Sequence, residues 1–274
     1  MVHKTYYGGV AIHVKEVSNE LKKHKISTEE ITRNEDLNLK SFITSYFKIK
    51  SLAKNWSKNY DIIHSHDWSI TYPIIKAGVK NLVASFHAFP TNPIANYFEN
   101  YCIKKLGKFA IVVSPLMKRV YKNATYIPNG VNIKLFKPNP NIKRERLLCG
   151  IAQKYNKQKI INTIQKVKLD WISTEGKLPY NKLPEFYSKI GIFISIPYKQ
   201  AGFNLVWLEA MACEVPYIIG TNAGIGEILP IIKVSNFEEL RKILEEIKNY
   251  KIEPLKNQRD WIIRNKLTWK EHVK

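Results

Sequence analysis

Ala201-Gly202-Phe203-Asn204-Leu205-Val206-Trp207-Leu208-Glu209-Ala210-Met211-Ala212-Cys213-Glu214-Val215-Pro216 carries the most specific pattern in the chain. An apolar run, Ile190 to Ile196, leads into it, and a second, Val215 to Gly220, follows. The order predicts strand, glycine turn, helix, strand. A glycine turn that opens a helix presents backbone N–H groups with no intrahelical partner, at the positive end of the helix dipole. Phosphate binds readily at such a place. Glu209 falls about one turn into the helix, where its carboxylate can accept two hydrogen bonds from a vicinal diol such as a ribose. The turn and helix start, Gly202, Phe203, Asn204 and Leu205, together with Glu209, thus describe a nucleotide site.

On either side of it, Arg146–Ala152, Val167–Ile172 and Ile231–Val234 are further strand candidates, separated by helical patterns at Lys159–Val167 and Phe237–Ile247. The first half has the same style. Val10, Val14, Val17 and Leu21 recur at helical spacing after Gly8-Gly9. Strands are predicted at Asp61–His64, Asn81–Phe86, Phe109–Ser114 and Ala124–Pro128. Alternating β and α elements imply parallel sheets with helices on both faces. Lys137-Pro138-Asn139-Pro140 is a proline break that reads as a linker. The expected organisation is two Rossmann-like domains, 1–138 and 139–274, both abbreviated, with a cleft between them. Only Met1 to Tyr7 precede Gly8-Gly9, so the first strand is expected to be very short or the chain start truncated.

The chain has 274 residues, 45% of them hydrophobic, enough for one large or two small domains. It contains no apolar run of roughly 18 residues, so no spanning helix is expected. The N-terminus lacks the apolar core of a signal peptide. Cys102, Cys149 and Cys213 have no metal-binding spacing, and one is left over from any pairing, which points to a reduced, cytoplasmic setting. The net charge of +21, from 44 Lys+Arg against 23 Asp+Glu, favours anionic partners. Basic residues are spread along the chain, as in Lys22, Lys23 and Lys25, Lys104, Lys105 and Lys108, and Arg241 and Lys242. A solvated lysine-rich surface and a patch facing an anionic membrane both fit. Nucleic acid is disfavoured, because no zinc finger, RNA-binding aromatic motif or helix-turn-helix pattern accompanies the charge.

Several other residues are placed to carry chemistry. Gly8 and Gly9 open a helix and permit close approach of a ligand, although a plain turn explains them as well. His87 follows an apolar strand, at the end where open α/β sheets bind ligands. A structural histidine is the competing reading. His64-Ser65-His66-Asp67 raises the question of metal, but no further ligand set is visible and none is expected.

These segments resemble the family 4 retaining glycosyltransferases of GT-B fold. Ala201 to Pro216 is similar to that family's Glu-Gly-Phe/Leu motif, which continues five residues later into Glu-Ala-Met-Ala. Asp61-Ile62-Ile63-His64-Ser65-His66, Ile127-Pro128-Asn129-Gly130-Val131-Asn132 with Phe136 and Pro138, Gly224-Ile225-Gly226-Glu227 and Leu267-Thr268-Trp269 resemble further family segments. Only five residues follow Trp269, so the helix that normally crosses back to the first domain is expected to be short or missing.

The resemblance implies a nucleotide-diphosphate sugar as donor, with no permanently bound cofactor and no metal. Gly8 and Gly9 would face the donor phosphates and the acceptor. Lys154 and Lys157, with Lys159 as a further candidate, would stand where the family's two basic residues neutralise the leaving diphosphate. His87 would steady the sugar. Glu227 would orient groups near the nucleotide or simply complement a helix dipole. The acceptor stays open between a lipid-linked sugar, a polysaccharide and a protein, and the basic balance tilts towards a membrane-surface acceptor. One departure stands out: the first motif Glu is Ala201 here. Gln200 or Lys199 could substitute for it, the donor could need no carboxylate there, or the protein could bind a nucleotide sugar with weak or no catalysis.

Overall fold

The computed structural model describes residues 2–3, 8–32, 39–152, 155–174, 178–199 and 201–274. The chain divides into two units, Met1–Pro128 with Val273, and Asn129–His272 with Lys274. All strand pairs in both are parallel. No helix among the described residues is long and apolar enough to cross a membrane.

The first unit runs β1 (Val2–His3), α1 (Gly9–Lys23), β2 (Ile31–Thr32), α2 (Leu39–Asn59), β3 (Ile63–His66), α3 (Trp68–Lys76), β4 (Leu82–Phe86), α4 (Pro93–Leu106), β5 (Ala110–Val112), α5 (Pro115–Val120) and β6 (Thr125–Tyr126). Its sheet order is β2-β1-β3-β4-β5-β6. The order reverses between β1 and β3, so a ligand crevice is expected at the carboxyl ends of those two strands. The helices start where the sequence stops them from starting earlier. Asn92 and Ser114 are extended residues followed by proline, and their side chains accept from Ala95 N (2.9 Å) and Met117 N (3.3 Å). Ile49, Ala53 and Trp56 of α2 pack with Ile70 and Ile74 of α3 over Ile63 and Leu82.

The second unit runs β7 (Glu145–Ile151), α6 (Lys157–Lys166), β8 (Trp171–Ser173), α7 (Leu183–Lys189), β9 (Ile190–Ile194), α8 (Leu205–Ala212), β10 (Tyr217–Gly220), β11 (Ile232–Lys233), α9 (Phe237–Lys248), α10 (Gln258–Arg264) and α11 (Trp269–His272). The sheet order is β11-β10-β9-β7-β8, with its reversal between β7 and β9. Side chains alternate across the sheet. Phe193 and Ile218 join Tyr187, Trp207, Leu208 and Ile262 on the face covered by α7, α8 and α10. Ile192, Ile194 and Ile219 join Ile160, Ile164, Leu240 and Leu244 on the face covered by α6 and α9. Helix α8 is apolar nearly all round because it is enclosed: of its eight residues only Val206 is not buried. Cys102, Cys149 and Cys213 are free and buried, and burial pushes each thiol up to about 12.

The expected boundary at residue 138 lies inside the second unit, and the reason is packing. Val131 and Phe136 are buried in its core. Val131 N donates to Leu267 O (3.0 Å). The Arg259 guanidinium donates to the carbonyls of Phe136 (2.6 Å), Ile133 and Ala212 (3.1 Å). The proline break is thus a turn within the unit. Gly130 lies under the backbone of Thr268 and Trp269, and a Cβ there falls 2.2 Å from Thr268 C and Trp269 N. Main chain yields to such a contact only by shifting. Gly130→Ala is therefore expected to cost about 3 kcal/mol, read as a lower urea midpoint with an unchanged slope.

Candidate functional site

Two groups of residues gather at the switch points, one in each unit. In the second unit, β9 ends at Ile194 and the chain passes through Ser195–Lys199 to the buried Ala201-Gly202 turn before α8 begins. Asn204 stands at the helix N-cap, yet its side chain caps nothing. Its Nδ2 donates instead to Ser195 Oγ (2.8 Å). Asn204 therefore leaves Leu205 and Val206, the first N–H groups of α8, without a cap from its own side chain, and these are donors of the kind an anion needs.

The loop after β10 closes on the same turn. Gly224 has φ +54, and a Cβ on it falls 2.2 Å from Gly202 O and 2.6 Å from Ala201 O. Only glycine combines that backbone with that approach. The structure thereby brings together the two segments, Ala201–Glu209 and Gly224–Glu227, that the sequence singled out separately. Glu227 is half-buried, and its carbonyl accepts from Lys233 Nζ (2.9 Å).

Gly202 is buried, Phe203 packs partly against the core, and Leu205 is buried. Glu209 is only 2% exposed, and its Oε2 accepts from the Tyr187 hydroxyl (2.9 Å), itself fully buried. The sequence places this carboxylate on the helix but not its partner. Burial, then the carboxylate, hold the Tyr187 phenol well above its ordinary range, so it remains a donor. Lys157 is half-buried at the first position of α6, which follows β7 at the switch point. Lys159 is exposed, its Nζ 5.8 Å from the Phe237 ring. Lys154 and Gln200 lie outside the described residues. Lys199 is exposed. Two contacts were not foreseen: Asn156 Nδ2 donates to Ile196 O (3.1 Å), and the rings of Tyr155 and Tyr198 lie 4.8 Å apart. They tie the loop after β7 to the loop after β9.

In the first unit, Gly8 precedes α1 with φ +103, a conformation that glycine supplies, and Gly9 is the first helical residue. His87 follows β4 and is half-buried. It is not alone. His66 Nδ1 lies 3.0 Å from His87 Nε2, and the two rings stack. The His13 ring, from α1, stands edge-on 4.7 Å from His87 and 5.2 Å from His66. Burial holds His87 below the ordinary histidine pKa, partly offset by Asp67. His64 turns to Ser85, with Nε2 2.8 Å from its Oγ. His13 was not singled out in the sequence. The signal was there, since it precedes Val14 on the helix stripe that faces the sheet.

Residues 131–251 match the family Glycosyl transferases group 1, and residues 7–135 match Glycosyltransferase Family 4. An uncharacterized glycosyltransferase of Methanocaldococcus jannaschii is 25% identical, over 89% of this chain and 90% of that protein. Among solved structures, Anabaena Alr3699/HepE in complex with UDP and glucose is similar at a TM-score of 0.65, with 11% identity over 99% of this chain and 96% of its own. The apo form of the lipopolysaccharide outer core galactosyltransferase WaaB is similar at 0.63, with 13% identity over 100% of this chain and 97% of its own. At these identities the two structures speak for the fold.

Proposed function

We propose, for a chain that belongs to the glycosyltransferases of group 1 and family 4 and has the GT-B type of α/β fold, a retaining transfer of sugar from a nucleotide-diphosphate donor to an acceptor hydroxyl. The first unit serves the acceptor side and the second the nucleotide sugar. The observation that carries the reading is the α8 N-terminus, left without a side-chain cap and walled by Gly224 against Gly202. The diphosphate binds these N–H groups, with Lys157 and Lys154 adding positive charge. Glu209 accepts from the ribose hydroxyls. As the bond between the sugar and the diphosphate breaks, its electron pair leaves with the diphosphate, whose growing charge the helix end and lysines stabilise. On the first unit, the roles carried over from the resemblance are that His87 steadies the sugar and Gly9 faces the donor phosphates and the acceptor. The acceptor hydroxyl forms the new bond on the face that the diphosphate leaves, and its proton passes to an oxygen of the departing diphosphate.

The Anabaena neighbour's bound UDP makes UDP-sugars the first donors to try. Nucleoside diphosphate release is measured across UDP-, GDP- and ADP-sugars, with membrane extract as the acceptor source. Release with one donor class, dependent on extract, is the expected result. Binding of a donor with no release under any condition favours the second reading, a nucleotide-sugar-binding protein. The observation behind that reading is Ala201, whose buried methyl group stands where the family has a carboxylate.

A further inference from the structure

We propose that His13, His66 and His87 bind a divalent first-row transition-metal ion of the zinc class. The three come from separate elements of the first unit: α1, the end of β3, and the residue after β4. Their ligating atoms all lie within 4.8 Å of one another, and His66 Nδ1 and His87 Nε2 are 3.0 Å apart. An ion about 2.0 Å from each nitrogen in tetrahedral geometry holds its ligands roughly 3.3 Å apart, so the rings close on it with shifts of at most about 1.5 Å. The sequence shows only His64-Ser65-His66-Asp67, and His64 is spent on Ser85. The fold supplies the missing ligands from residues far away in the chain.

The donor set names the ion. Three imidazoles suit zinc and its neighbours, whereas magnesium and calcium take oxygen ligands. Binding requires the neutral form of each ring. His13 and His66 are buried while His87 is half-buried, which leaves one side open for a fourth ligand such as water. Asp67, next in the chain to His66, acts electrostatically on His87 and offsets part of the ion's charge. Its backbone, φ 64 and ψ 158, lies where residues other than glycine are rare. It is held there by Asp67 N donating to Ser85 O (3.0 Å), and by Thr71 Oγ1 donating to Asp67 O (2.7 Å).

The test uses untagged full-length protein, stripped with a chelator and titrated with Co²⁺, then Zn²⁺. The expected result is one Co²⁺ per chain with the visible absorption of a tetrahedral site, displaced by Zn²⁺, and a higher melting temperature when loaded. Loss of a partner behind a ligand costs up to about 100-fold in affinity, so His66→Ala and His13→Ala are expected to lose at least that. His24→Ala, at the exposed end of α1, is expected to bind as the parent does. A parent protein that takes up no Co²⁺ overturns the proposal, whether or not the variants fold. So does uptake that survives replacement of all three histidines. Because binding is read without donor, acceptor or turnover, its failure leaves the transfer reading untouched, and the converse holds.

Discussion

Glu209→Gln is expected to weaken binding of a nucleoside diphosphate by about 100-fold while the protein stays folded, because two hydrogen bonds to a charged oxygen are each worth roughly 1.5 kcal/mol. Glutamine keeps one carbonyl oxygen to accept from Tyr187. It loses the charge, and its NH₂ cannot accept from a ribose hydroxyl. Glu209→Ala removes more. The Tyr187 hydroxyl is then left without this acceptor in an interior with no solvent contact, at a cost of about 1–3 kcal/mol. The alanine variant therefore mixes a folding defect with a binding defect, and the glutamine variant separates them. Calorimetric titration with UDP and a urea melt on both proteins make the comparison. Equal UDP affinity in parent and Glu209→Gln means the carboxylate serves only the core.

The second large effect is expected at Gly224. Gly224→Val puts a β-branched residue at φ +54 and drives its Cβ onto the carbonyls of Gly202 and Ala201. The Gly202–Asn204 turn has to move, and with it the N–H groups that meet the diphosphate. A displacement of about 1 Å in a positioning element costs on the order of 100-fold in kcat/KM. The measurement is kcat/KM for nucleoside diphosphate release with the active donor, alongside the urea midpoint. Full turnover in a folded Gly224→Val protein shows that the diphosphate is held elsewhere.

Strands were the legible part of this chain, because a strand buried on both faces is a bare apolar run. Ile190–Ile194 and Leu82–Phe86 fall within the runs expected for them. Val167 closes one expected helix and opens one expected strand; it caps α6, and the chain turns at Lys168 with φ 57 before β8 begins at Trp171. An apolar residue at a helix end and one at a strand start look alike in one dimension. Helix α2 was not expected. Its buried stripe of Ile49, Ala53 and Trp56 is interleaved with exposed Phe47 and Leu52, which blurs the period. The unit boundary was misplaced for a different reason. Pro138 and Pro140 announce a turn, whereas the stitching of Val131, Ile133 and Phe136 to Leu267 and Arg259 involves residues more than a hundred positions away.

The candidate sites divide in the same manner. The phosphate turn is a local pattern and could be read directly. The Tyr187 partner of Glu209, the Gly224–Gly202 contact and the meeting of His13 with His66 and His87 are products of topology. Parallel sheets bring successive strand ends to one edge, so chemistry assembled there is scattered along the sequence.

The pairing of Val131 with Thr268 sets an order on biosynthesis. All strands of the first unit precede Pro128, so it can close while still attached to the ribosome. The second unit cannot. Gly130 and Val131 belong to its beginning, but the backbone that seals them, Leu267–Trp269, is translated more than a hundred residues later. A contact so distant in sequence forms only after the loop between is ordered. Until those residues emerge from the exit tunnel, the nascent second unit keeps an open seam beside Gly130 and Val131, and its maturation waits on the translation of Leu267–Trp269.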